Sequence, residues 1–113
     1  MSLQTTISRK SAPSFEVQIF IGGDHAACKN LLAAESLRGA CYSCEPTEFV
    51  YTGGRETGSV VRLINYPRFP QPQQAITEAA LQLAEALMLG LHQSSCTVQM
   101  PVDTIWLSRR APE

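Results

Sequence analysis

The sequence predicts an α+β fold, an antiparallel sheet with two helices on one of its faces. Three observations predict it. An alternating apolar stretch opens the ordered part of the chain, two segments rich in helix formers are separated by a glycine-rich turn, and alternation returns towards the C-terminal end. In order, the elements are strand, helix, strand, hairpin, strand, helix, strand.

In the first strand Phe15, Val17, Ile19 and Ile21 fall on one side, while Glu16, Gln18 and Phe20 take the other. Period two with β-branched residues marks a strand that buries one face. Gly22 and Gly23 break it, and Asp24 suits the N-cap of a helix over 25–38. Ala27, Leu31, Ala34 and Leu37 form that helix's stripe, and Gly39 sits where a left-handed residue would end it. The next extended region, 41–52, contains Pro46, which cannot donate to a ladder and so points to an edge position or a bulge. Residues 53–58 are rich in turn-forming residues, and 59–66 return as a strand. The second helix spans 75–92 on the spacing of Ile76, Ala79, Ala80, Leu83, Leu87 and Leu91. Leu81, Met88 and Leu89 widen its apolar face, which suggests a subunit contact. Cys96, Val98 and Met100 alternate in a further strand, and 104–107 form a last short one.

A length of 113 residues fits one domain, with a flexible leader at 1–14, the domain at 15–108 and a tail at 109–113. A domain of that size buries roughly 65% of its unfolded surface, so no staple is needed. The net charge of −1 gives no electrostatic case for nucleic acid or an anionic membrane. The pair Arg109-Arg110 reads as tail solubility. No apolar run approaches the ~20 residues of a membrane span, and no secretory h-region is visible. The four cysteines then favour reduced thiols and a cytoplasmic setting.

His25, Cys28, Cys41 and Cys44 together read as H-x2-C-x12-C-x2-C, a spacing that raises structural zinc. A helix over 25–38, rising ~1.5 Å per residue, separates the two halves of that set by about 20 Å. Residues three apart on a strand also point to opposite faces. No metal and no cofactor are therefore expected, and the cysteines read as small core hydrophobes. His25 has no visible partner and reads as a surface residue.

The segment 65–72, NYPRFPQP, is stiffened by three prolines. It reads as a rigid crossover with Tyr66 and Phe69 against the sheet edge. A functional reading points Tyr66 and Arg68 into one groove with Tyr51, where an arginine among aromatics could hold a carboxylate or stack on a ring. Tyr51, Tyr66 and Arg68 are the candidate ligand-binding residues. No catalytic set is evident.

The element order resembles the split β-α-β plait called ferredoxin-like, over 15–107. That resemblance implies an open sheet face, on which Phe20, Tyr42 or Cys44, and Tyr51 would lie, and it transfers no site. The phrases FVYTGGRETG (49–58) and LINYPRFP (63–70) resemble small bacterial and prophage-type proteins, a likeness that implies no activity. The expectation is a homo-oligomeric module that binds a small molecule or a protein partner without catalysis. The alternative is a small cofactor-free enzyme of the dimeric plait type, similar to tautomerases or oxygenases. Against the tautomerase version, that family uses an N-terminal proline, whereas Pro13 is internal.

Overall fold

Why does this chain place two helices on one side of its sheet? The answer lies in the pairing seen in the computed structural model, which describes residues 6–35 and 42–110. Its elements are β1 (Glu16–Gly22), α1 (His25–Ala34), β2 (Tyr42–Tyr51), β3 (Gly54–Ile64), α2 (Gln73–Gly90), β4 (Ser95–Gln99) and β5 (Thr104–Ser108). The five strands form one sheet in the order β2-β3-β1-β4-β5, antiparallel throughout. The expected α+β plait is the observed fold, with β5 added beyond β4.

The alternation in β1 is obeyed closely. Val17, Ile19 and Ile21 are buried, and they face Cys28 and Leu32 of α1 and Ile76, Ala80, Leu83, Ala84, Leu87 and Met88 of α2 in one core. Val61, Leu63, Cys96 and Val98 complete it from β3 and β4. Each large aliphatic side chain so buried contributes roughly 1.5–3 kcal/mol before the entropy of ordering is subtracted. Asp24 caps α1 as its sequence predicts, accepting from the Ala27 N–H at 2.9 Å.

Two boundaries differ from the sequence reading by more than two residues. Helix α1 stops at Ala34, where the Glu35 N–H bonds to the carbonyls of Leu31 and Leu32. Ala33 and Ala34 are already exposed, so no further core contact supports another turn. The glycine stop expected at Gly39 lies outside the described residues. Strand β3 starts at Gly54 rather than at Ser59, because the hairpin closes through only Thr52 and Gly53. Gly53 supplies the positive φ of 88° that such a tight turn demands.

Pro46 does lie on an edge strand, opposite Ser59. The register also divides the side chains between faces. Phe20, Gly22, Glu56, Gly58, Arg62 and Trp106 share the helix-free face, with Tyr51 at the hairpin end. Tyr42 and Cys44 do not join them. Both pack towards the helices, since Tyr42 lies opposite Leu63 and Cys44 opposite Val61. Among the described residues no helix is long and apolar enough to cross a membrane.

The proline-rich crossover is held by its first residue. Asn65 is buried, donates from Nδ2 to the Pro13 carbonyl at 2.9 Å, and accepts from the Gln71 N–H at 2.9 Å. It thereby ties the end of β3 to the chain before β1 and to the approach of α2. Asn65→Ala should lower stability by about 1–3 kcal/mol, because it leaves the Pro13 carbonyl and the Gln71 amide without their buried partner. Urea unfolding followed by circular dichroism measures this. An unchanged midpoint would show that the crossover is held by other contacts.

Candidate functional site

The three ligand-binding residues expected from the sequence do not share a groove. Tyr51 ends β2 at the hairpin tip, is 57% exposed, and lays its ring against Gly54. Tyr66 and Arg68 lie past the opposite end of β3, whose 11 residues span roughly 33 Å. There the Tyr66 and Phe69 rings stack at 6.1 Å, with the Arg68 guanidinium 5.2 Å from the Phe69 ring centre. Phe69 remains 48% exposed, so the stack organises the crossover more than it fills the sheet edge.

A better-formed cleft, of about 240 Å³, opens on the helix-free face where β1, the hairpin and the end of α2 meet. Phe20 and Phe49 give it aromatic walls, and Glu56, Gln93, Ser94 and Arg110 bring polar groups to it. Two glycines make this approach possible. A Cβ at Gly22 would fall 3.0 Å from Gln93 Oε1 and 3.1 Å from Glu56 Oε2. One at Gly58 would collide with the Phe49 ring and with the Ile21 carbonyl oxygen. The bare backbone at these facing positions lets a phenyl ring, a carboxylate and an amide converge.

Gln93 reaches the cleft because of how α2 ends. His92 adopts φ 55°, a left-handed conformation, and the Gln93 N–H returns to the Met88 carbonyl at 2.8 Å. This closes the helix and turns the chain towards the sheet. Arg110 is also tethered. Its Nε donates to Ser94 Oγ at 3.3 Å and its backbone N–H to Ser108 Oγ at 3.1 Å. It therefore belongs to the cleft, beyond the solubility role its place near the chain end suggests. The cleft thus offers one carboxylate and one guanidinium between two phenyl rings.

A second cluster lies on the opposite side of the sheet, beneath the start of α1. The sequence gives His25 no partner, yet its Nδ1 lies 2.7 Å from Ser59 Oγ. Cys44 Sγ is 3.8 Å from the same nitrogen and 4.0 Å from Cys28 Sγ. The expectation that the two halves of the H-x2-C-x12-C-x2-C pattern stay apart is thus corrected for three of the four residues. Helix α1 carries the chain away from β1, but β2 returns alongside it and brings Cys44 level with the helix start. Ser59, opposite Ile21, completes the cluster through pairing that spacing alone does not show. Among the described residues no group of three or more His, Cys, Asp or Glu is arranged to hold a metal ion, and Cys41 lies outside them.

Burial, reinforced by the nearby Cys44 and partly opposed by a hydrogen bond from Ser59, pushes the Cys28 thiol up to about 11. Burial and then the charge of Glu85 push Cys96 up to about 11. Tyr42 is also raised, first by burial and then by the charge of Glu35, and its hydroxyl is buried without a hydrogen-bond partner.

No family model matches the sequence, and no curated protein matches it. Two solved structures are similar, both of a phage SAM lyase. The structure in complex with S-methyl-5'-thioadenosine aligns at TM-score 0.59 with 16% identity, covering 92% of this chain and 96% of that one. The apo structure aligns at TM-score 0.62 with 16% identity, covering 96% and 100%. At this identity the likeness establishes the plait fold. It also corrects the expectation of a module without catalysis, because chains that share this fold nearly end to end belong to an enzyme.

The raised thiols imply a pH dependence of stability. The unfolded chain releases these protons near the ordinary value of 9.0 and the folded chain only near 11, so folded-state stability is complete below pH 9 and falls towards pH 11. Thermal melts across that range should show the fall, and a Cys28→Ala, Cys96→Ala chain should show a shallower one. Equal slopes would assign the alkaline loss to other groups.

Proposed function

We propose that this chain is a small enzyme that binds a sulfonium of the S-adenosylmethionine class in the helix-free cleft and breaks one of its carbon–sulfur bonds. The observation that carries the reading is the composition of the cleft: Phe20, Phe49, Glu56 and Arg110 around the bare backbone of Gly22. A purine can lie against phenyl rings. A carboxylate suits a sulfonium or ammonium cation, and a guanidinium suits the substrate's carboxylate. The similar structure that holds S-methyl-5'-thioadenosine supports this choice of ligand, since that molecule is the thioether left when such a sulfonium loses its amino-acid chain.

In that cleavage the electron pair of the carbon–sulfur bond leaves on sulfur, which becomes a neutral thioether. The carbon recovers a bonding pair from the substrate's own carboxylate, giving a lactone, or from a neighbouring C–H bond whose proton passes to a base, giving an alkene. Glu56 is the carboxylate placed to attract the cation, and to take that proton on the second course. Orientation and partial exclusion of water are then the main demands on the protein.

The self-association expected from the wide apolar surfaces belongs to the same proposal. Trp106 and Ile64, 60% and 52% exposed, lie on the face that carries the cleft, as does Tyr51. A second copy covering this face would close the cleft's open side.

Incubation of the purified chain with S-adenosylmethionine should release S-methyl-5'-thioadenosine, detected by liquid chromatography and mass spectrometry. Glu56→Gln should lower kcat/KM by about 10- to 100-fold, Phe20→Ala should mainly raise KM, and His25→Ala should change the rate by less than about twofold. No thioether above the spontaneous background would overturn the reading. A His25→Ala loss as large as that of Glu56→Gln would move the site to the other face.

A further inference from the structure

Outside the cleft, the thiols of Cys28 and Cys44 form a pair that the proposed chemistry does not use. Their sulfur atoms are 4.0 Å apart, although 16 positions separate them in the chain. A disulfide bond measures about 2.05 Å, so the two sulfurs must approach by only about 2 Å to bond. The two sulfurs differ in access. Cys28 is fully buried within the core, whereas Cys44 is half-buried and lines a groove of about 340 Å³ with Lys29, Leu32, Ala33 and Tyr42. Cys96, buried elsewhere in the core, is the other free thiol among the described residues.

We propose that Cys44 and Cys28 are a peroxide-reactive pair that closes an intramolecular disulfide between the edge strand β2 and helix α1. The sequence is set by access. A small peroxide enters the groove and meets Cys44 first, and the Cys44 sulfur takes one oxygen from hydrogen peroxide to give a sulfenic acid and one water. The buried Cys28 sulfur then attacks the Cys44 sulfur, the S–O bond breaks, and the hydroxyl leaves as a second water with the Cys28 proton. Two thiols are oxidised by two electrons and one peroxide is reduced to two waters. The crosslink fastens an edge strand that otherwise has a strand neighbour on one side only, β3. It also lies across the sheet from the cleft, so it forms whether or not the cleft has the activity proposed above.

The test treats the reduced full-length chain with hydrogen peroxide and maps its peptides under non-reducing conditions by mass spectrometry. The expected product is a Cys28–Cys44 linked peptide, returned to free thiols by dithiothreitol, with Cys96 still reduced. In Cys28→Ala the reaction should stop at a Cys44 sulfenic acid captured by dimedone. In Cys44→Ser, a change at a half-buried position, Cys28 should remain a free thiol. A Cys44 bond to Cys41 or to a second chain would overturn the proposal. So would thiols that stay reduced while methionines are oxidised, or oxidation of Cys28 in the absence of Cys44.

Discussion

Both faces of the sheet are set by the antiparallel register between β1 and β3, in which Glu16 faces Ile64 and Gly22 faces Gly58. This ladder is the centre of the sheet and decides what each face receives. On one side it lines up Val17, Ile19 and Ile21 with Leu63, Val61 and Ser59 under the helices. On the other it sets Phe20, Gly22, Gly58 and Glu56 along one strip. A slip of β1 by one residue would turn Val17, Ile19 and Ile21 away from the helices and bury Glu16, which pairs with Arg62 on the other face, as Glu45 does. The core and the ionic network therefore hold the same register from opposite sides.

From that register both clusters of chemical groups follow. The facing glycines leave room for Phe49, Glu56 and Gln93 to close over the backbone, which makes the cleft. Ser59, turned the other way, meets His25 as α1 begins. The two clusters are separated by the thickness of one sheet. One is open, mixed in charge and walled by rings; the other is largely buried and built from thiols, an imidazole and a hydroxyl. Such a division suits the two roles proposed, sulfonium binding on one face and thiol oxidation on the other.

Much of the fold was legible in the residues, because period two in β1 and the apolar stripe of α2 report burial directly. The Asp24 cap and the edge position of Pro46 were equally readable, each resting on a local rule. The sites were not legible, and the reason is physical. Glu56 and Arg55 look alike at a hairpin, and only the pairing of Phe49 with Glu56 shows which side chain turns towards the cleft. Gln93 and Arg110 carry no motif, and they arrive through a helix ending and a strand end. Helical rise alone makes α1 a spacer between thiols, because it takes no account of the return of β2 beside it. The proline-rich crossover, with two aromatics and one arginine, stands out by composition, whereas its decisive residue is Asn65, a buried amide with two backbone partners.

The proposed enzyme binds its adenosyl sulfonium, and the thioether product, on the strip set by Gly22 and Gly58. Titration of isotopically labelled chain with S-methyl-5'-thioadenosine, followed by amide resonances, tests this binding most directly. Saturable shifts concentrated at Phe20, Gly22, Phe49, Glu56, Gln93 and Ser94 are expected. Shifts confined to the groove by Lys29 and Cys44, shifts confined to 66–69, or no saturable shift at all would contradict it.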